Sequence, residues 1–374
     1  MVVVYAVRHL GLTGGVKVLF QHVELLRSLG HKVHLIARFV DEEIDKEWGF
    51  RITPEVVPAF NEKYVPTADC IVVTTPKDVE DLWKVASRRG VPLFHFIQSF
   101  ETEQIIVKLN GKVVPERFLS NDFITRLKYK KKIWGWKQRL KRFDKLYRLP
   151  TVKIVISPHL VNGILERYNI SSYLLPNGVD QRIFYPKEKK LDYSGTIKIL
   201  SVGNFKTEWK GIPDILDAVK ILKEAGENIH LTRVTPPNVS AAENNYGVID
   251  RFLSRITERE MADVYREAHI SVTASTEIEG FGLPPIEAMC AGTPAILTKI
   301  SPFLAFDDQH DYAYFVNVHQ PKEIAAAIMA IAKDNRLREK LIERGFEVAG
   351  KYTLEVLGRR LEEILRSHID KGRA

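Results

Sequence analysis

At 374 residues the chain is longer than one hydrophobic core ordinarily serves, which points to two domains. A composition of 45% apolar and 27% charged residues excludes a disordered chain, and no apolar run is long enough to span a membrane. The net charge of +8 is concentrated: Arg126 to Arg148 holds eleven Lys or Arg against one acid, Asp144, so the rest of the chain is slightly acidic.

The chain opens on Met1-Val2-Val3-Val4-Tyr5-Ala6-Val7, which lacks the basic start and longer apolar stretch of a signal peptide. It reads as a buried strand, and the protein is expected to be cytoplasmic. A loop, Arg8 to Gly15, leads into an amphipathic helix with Val16, Leu19, Val23 and Leu26 at helical spacing and Gly30 as its stop. Strands are predicted at Val33–Ala37, Ile71–Thr75, Leu93–Ile97 and Val152–Ser157, with helices over 78–89 and up to about Tyr168. The turn-rich stretch from Asn177 to Gly195 reads as a hinge. The alternation then restarts with strands at Ile197–Val202, His230–Val234, Val248–Leu253, Ile270–Ala274 and Ala295–Thr298. Helices are predicted over 212–225, 258–268, 321–333, 336–349 and 354–368. Strands separated by helices in this way form parallel sheets, here two Rossmann-like α/β halves with a cleft between them. Cys70 and Cys290 lack metal-ligand spacing and are expected to be reduced and buried.

Ligands of open parallel sheets sit beyond the carboxyl ends of the strands, so the loops leaving them carry the chemistry. After Ile270–Ala274 comes Ser275-Thr276-Glu277-Ile278-Glu279-Gly280-Phe281-Gly282-Leu283-Pro284-Pro285-Ile286-Glu287. Gly280 and Gly282 let backbone approach a ligand, and the two prolines suit a first helical turn. Amides around Gly282 and Leu283 then face outward at a helix N-terminus, a site for phosphate. Glu287, one turn in, suits a vicinal diol such as a ribose, and Glu279 suits a sugar hydroxyl or a developing positive charge. After Ile197–Val202, the loop Gly203-Asn204-Phe205-Lys206-Thr207-Glu208-Trp209-Lys210-Gly211 carries Lys210 and Lys206, candidates for the positive charge that a phosphate group needs.

Two glutamates at this eight-residue step, followed by Ala288-Met289 and Gly292-Thr293-Pro294, resemble the donor site of family 4 retaining glycosyltransferases, which have the GT-B fold. The resemblance spans nearly the whole chain. Gly14-Gly15 resembles the family's first glycine loop, Gly30-His31-Lys32-Val33 its following turn, and Val202-Gly203 through Lys210-Gly211 its first donor-side loop. Pro176-Asn177-Gly178-Val179-Asp180, with Phe184 and Pro186, resembles its interdomain stretch. The sequence departs at Asn204, where Arg is common, and the step to Lys210 is one residue longer than usual; Lys206 is the candidate replacement.

The resemblance implies an acceptor-side domain over 1–180, a nucleotide-sugar domain over 181–350, and a C-terminal helix over 351–374 crossing back to the first. It implies retaining transfer from a UDP-, GDP- or dTDP-sugar to a glycan or lipid-linked glycan, in surface polysaccharide or glycoconjugate assembly. Glu279 and Lys210 are then catalytic. Gly14, Gly15, Gly203, Lys206, Gly280, Phe281, Gly282, Leu283 and Glu287 bind the donor. The departing phosphate oxygen takes the acceptor proton in a front-face displacement. With no Asp-x-Asp pair in the sequence, neither metal nor cofactor is expected. Many relatives place a His near the end of the strand Leu93–Ile97; Gln98 holds the exit position here, while His95 lies inside the strand, where a core histidine is the simpler reading.

Lys130, Lys131, Lys132, Lys137 and Arg139 interleave with Trp134 and Trp136, a pattern suited to an anionic membrane surface. A peripheral position at the inner membrane face follows. A solvated helix face, an acidic polysaccharide and a nucleic acid remain alternatives. The last is weakest, because charge is confined to one segment without a recognition motif. For the whole chain the rivals are a non-catalytic glycan- or lipid-binding GT-B protein and a nucleotide-sugar epimerase.

Overall fold

The structure, a computed structural model, describes residues 1–11, 13–41, 52–110, 123–186, 192–235 and 240–373, without the side chains of 123–127 and 371–373. Leu12 of the first glycine loop, residues 187–191 of the predicted hinge and the Arg126 side chain lie outside this set. So do residues 111–120 of the stretch Glu101–Ser120 and residues 236–239 of the stretch Thr235–Tyr246.

Strands β1 (Val2–Leu10), β2 (Lys32–Val40), β3 (Glu55–Val56), β4 (Cys70–Val73), β5 (Leu93–Ile97), β6 (Val152–Val155) and β7 (Ser172–Leu174) form one sheet. The second contains β8 (Ile197–Val202), β9 (Ile229–Val234), β10 (Arg251–Leu253), β11 (Ile270–Thr273), β12 (Ala295–Thr298) and β13 (Tyr314–Val316). All pairings are parallel. The orders are β3-β2-β1-β4-β5-β6-β7 and β10-β9-β8-β11-β12-β13. Each order reverses beside its first strand, between β1 and β4 and between β8 and β11. Such a switch point opens a crevice at the carboxyl ends. The loops after β8 and β11 therefore lie side by side.

Helices α1 (Gly14–Ser28), α2 (Pro76–Arg89), α3 (Glu101–Leu109), α4 (Phe123–Tyr147) and α5 (Pro158–Tyr168) serve the first sheet. The second carries α6 (Ile212–Glu224), α7 (Ala241–Asn244), α8 (Glu258–Glu267), α9 (Leu283–Cys290), α10 (Ser301–Leu304), α11 (Pro321–Lys333) and α12 (Asn335–Ala349). Helix starts follow local chemistry: Thr13 Oγ1 accepts from Val16 N–H, and Thr257 with Glu260 forms a capping box. Residues Val3 to Val7 are at most 3% exposed, the fully buried strand that a parallel sheet requires. Strand β1 runs three residues past the predicted end. Arg8 does not stop it, because its guanidinium pairs with Asp78 at 2.6 Å, in the first turn of α2.

A last helix, α13 (Leu354–Arg373), lies against α1. Leu357, Leu361, Ile364 and Leu365 are buried on one face, Gly358 meets Leu25, and Glu362 lies 2.9 Å from His31 Nε2. The chain that ends the second sheet's helices thus packs on the first sheet.

Candidate active site

The loops after β8 and β11 are stitched together. Thr276 N–H donates to the Trp209 carbonyl at 2.9 Å. Gly211 sits at φ +59° so close to β11 that a Cβ there would fall 1.9 Å from the Ala274 carbonyl oxygen. No other residue fits, and this approach carries the short turn Glu208–Lys210 towards the end of β11. Lys210 Nζ consequently lies 2.7 Å from Glu279 Oε2, which also accepts from Ser275 Oγ at 2.8 Å. Glu279 is 7% exposed. Burial pushes its carboxyl up, but Lys210, Ser275 and the Gly280 amide together hold it below the ordinary carboxylate value. The result is an ionised glutamate in direct contact with Lys210 in one poorly solvated corner.

The opposite wall belongs to the first sheet. Gln98 Nε2 donates to the Gly15 carbonyl at 3.0 Å, tying the end of β5 to the start of α1. Ser157 Oγ donates to the Gly280 carbonyl at 2.7 Å. A Cβ on Gly280 would lie 2.3 Å from the Gln98 carbonyl oxygen, so this glycine is a point of very close approach between the domains. A Cβ on Gly14 would lie 4.0 Å from a Leu283 methyl carbon. Gly282, at φ +92°, caps α9. Its amide and that of Leu283 belong to the turn where a helix has no carbonyl partners to offer. Phe281 is buried against Phe306 and Tyr352 and acts as a wedge under this loop. Gly14, Gly15, Gln98, Gly280, Gly282 and Leu283 are thereby brought together around the cleft.

Glu287, the candidate diol acceptor, already has protein partners. It is 6% exposed, its Oε1 accepts from Lys17 Nζ at 2.8 Å, and its Oε2 accepts from Tyr265 OH at 3.1 Å. Lys17 belongs to α1 of the first domain and also lies 2.7 Å from Glu258. Burial lowers the Lys17 pKa, and the two carboxylates more than reverse that, leaving it well above the usual lysine range. Each carboxylate oxygen keeps a second lone pair, so a hydroxyl can still join.

The remaining candidates lie elsewhere, His95 in the core position that is its simpler reading. His95 is fully buried in β5, 5.4 Å from the Tyr147 ring, and has no surface to offer a sugar. Burial, with Lys153 on the adjacent strand, lowers its pKa to about 3. Lys206 is exposed, and its backbone N–H is turned in by Asn204 Oδ1 at 2.9 Å; no contact among the described residues draws its ammonium towards Glu279. Beneath Gly203 lies Arg233, fully buried, donating to the Gly203 carbonyl at 2.6 Å and the Ser201 carbonyl at 2.7 Å and paired with Glu243. On α4, Lys130, Lys131, Trp134, Lys137 and Arg139 are exposed, whereas Lys132 and Trp136 are half-buried with the ammonium 5.0 Å from the indole. Trp134 is 64% exposed.

Residues 186–348 match the family of glycosyl transferases group 1. The matched segment is less than half of the chain, and it is similar to the glycosyl transferases of group 1. A phosphatidyl-myo-inositol mannosyltransferase of Mycobacterium leprae is 23% identical over 224 residues, 59% of this chain and 60% of that protein. The first relatives matched are covered over only 52–60% of their own length. Sucrose-phosphate synthase from Thermosynechococcus elongatus superposes with a TM-score of 0.75 at 19% identity, covering 98% of each chain. HepE of Anabaena, solved with UDP and glucose, gives 0.72 at 14% identity over 98% of this chain and 100% of that one. The fold is therefore the two-domain GT-B architecture.

Within the matched segment and the domain facing it, sequence reasoning missed Lys17, Tyr265, Ser275, Ser157 and Arg233. Only Ser275 carried a signal, lying four residues before Glu279 in the same loop. Lys17 is 270 residues from Glu287, and nothing in local spacing links the two.

Proposed function

We propose that this protein is a retaining glycosyltransferase that moves a sugar from a nucleotide-sugar donor to a glycan or lipid-linked glycan in surface polysaccharide or glycoconjugate assembly. The observation that carries this reading is the buried Lys210–Glu279 pair at the mouth of the second sheet, facing Gly14, Gly15 and Gln98 across the cleft. A diphosphate leaving group gathers negative charge as the sugar C1–O bond breaks, and Lys210 is placed to meet it. The acceptor oxygen bonds to C1 on the same face, and its proton passes to the departing phosphate oxygen. Glu279 stabilises the positive charge on the sugar ring and orients its hydroxyls. Gly282 and Leu283 amides receive the diphosphate, and Glu287 receives the ribose. The UDP and glucose bound by HepE support a nucleotide-sugar donor of this class. Lysine and amide groups carry the anion, so no divalent metal is needed.

The exposed lysines of α4 with Trp134 suit an anionic bilayer, each cation near the surface contributing about 1 kcal/mol. That position would bring the acceptor side to lipid-linked glycans, and the name of the mannosyltransferase relative supports a lipid acceptor. No helix among the described residues is long and apolar enough to cross a membrane.

The test is incubation with UDP-, GDP- and dTDP-sugars, with and without a bacterial glycolipid extract, in EDTA. Transfer that needs the extract and yields a product of unchanged anomeric configuration, read from proton couplings, supports the proposal. Donor converted without acceptor indicates an epimerase, and loss of transfer in EDTA removes the metal-free mechanism.

A further inference from the structure

Lys17 stands apart from the surface lysines of this chain. Its side chain is 11% exposed, and its ammonium lies between Glu287, Glu258 and the face of Phe184, 5.2 Å from the ring centroid. The Glu287 contact is a hydrogen bond at 2.8 Å; the Glu258 contact at 2.7 Å is a close ion pair. Both carboxylates lie on helices of the second sheet, Glu258 at the start of α8 and Glu287 in α9, whereas Lys17 lies in the first turn of α1.

We propose that Lys17 is a positioning residue through which the first domain holds Glu287 ready for the donor, so that the donor site is complete only when the two domains face each other. The proposal rests on the reading that Glu287 receives the donor's ribose. Two carboxylates that share one ammonium repel each other, and the cation between them holds both in place. Lys17 fixes Glu287 Oε1 at 2.8 Å, while Tyr265 fixes Oε2 at 3.1 Å. The remaining lone pairs then point to one place. Because the ion pair forms only across the interface, whatever draws the domains together also prepares Glu287. By linkage, a nucleotide held by Glu287 favours the facing arrangement in return. Gly14 and Gly15, at the start of the same helix, line the cleft beside Leu283 and Gln98. The helix thus presents its backbone to the cleft and its lysine to the donor carboxylate.

The test is calorimetric titration of UDP, GDP and dTDP into the full-length wild type, Lys17→Arg and Lys17→Met, with melting temperature and small-angle scattering measured on each. The nucleotide that binds wild type should bind Lys17→Met at least tenfold more weakly and Lys17→Arg within threefold. That nucleotide should compact wild type but not Lys17→Met. If Lys17→Met does not fold, the charge-balanced Lys17→Met/Glu258→Gln variant takes its place with the same tenfold loss expected. A Lys17→Met protein with a lowered melting temperature but wild-type affinity and compaction makes Lys17 merely structural and overturns the proposal. Failure of wild type to bind any of the three nucleotides overturns the reading of the site itself, and the proposal with it.

Discussion

Glu279 and Glu287 stand eight residues apart, are 7% and 6% exposed, and each is paired with a lysine, yet they answer to different parts of the molecule. The partner of Glu279 comes from the neighbouring loop of its own sheet, fixed by Gly211 against Ala274 and by the Thr276–Trp209 hydrogen bond. The partner of Glu287 comes from the other domain. The first pair is built into one domain and persists however the cleft stands. The second depends on how the two sheets face each other. The segment from Glu279 to Glu287 therefore carries one corner that is fixed and one that is conditional, and substitutions should separate the two.

The largest effect is expected at the fixed corner. Glu279→Gln should lower kcat by about 100-fold, the scale for removing a group that acts on charge developing in the transition state. The KM for donor should move less than about threefold, since Gln keeps its hydrogen bonds but not its charge. Steady-state kinetics with the donor that supports transfer checks this; an unchanged kcat would dissolve the distinction between the corners.

Lys210→Met should lower kcat/KM by about tenfold or more and alter its pH dependence. Burial pushes Glu279 up and Lys210 is the largest influence holding it down, so removing Lys210 raises the carboxyl pKa. The acid limb of the rate profile, below the ordinary carboxylate value in wild type, should move to higher pH. A profile that falls in rate without moving would separate Lys210 from Glu279.

Gly280→Ala addresses the conditional corner without touching a charge. The added methyl meets the Gln98 carbonyl oxygen at 2.3 Å, backbone that cannot rotate away, so the domains must shift apart. Overpacking of this kind costs about 1–3 kcal/mol. Donor affinity should fall along with the melting temperature, because Lys17 withdraws from Glu287. A variant that melts early yet binds donor normally would show that domain facing does not matter for binding.

The smallest effect is expected at His95, whose two ring nitrogens have no partner among the described residues. In the fold it takes a proton only near pH 3, in the unfolded chain near 6.5, so the fold is fully favoured above 6.5 and loses stability as pH falls towards 3. His95→Phe should leave turnover unchanged and shed its share of that acid sensitivity. Thermal melts between pH 7.5 and 4.5 would show a shallower decline than wild type, and an equal decline would remove His95 from the account.

Much of the fold was legible because buried parallel strands are continuous apolar runs: Leu93–Ile97 and Ala295–Thr298 begin and end where they were expected. Short edge strands were not. Glu55–Val56 and Ser172–Leu174 are two and three residues long, the first exposed and the second only half-buried, so they lack an apolar signature. In the site, glycine placement and the spacing of the two glutamates marked the loop after β11, while the partners that complete it were hidden by sequence distance. Lys17 reads as one more polar residue on an amphipathic helix, and Arg233 interrupts an apolar strand for a reason visible only once Gly203 and Glu243 surround it.

The claim on which the rest depends is that the segment 279–287 gathers around a sugar nucleotide in the interdomain cleft. Thermal shift of wild type and Glu287→Gln with UDP, GDP and dTDP tests it directly, since Glu287→Gln leaves Lys17 paired with Glu258 and the fold balanced. One nucleotide at 100 times its Kd should stabilise wild type by about 2.7 kcal/mol, with most of that shift absent from the variant. An equal shift in both proteins, or none in wild type, would contradict the account.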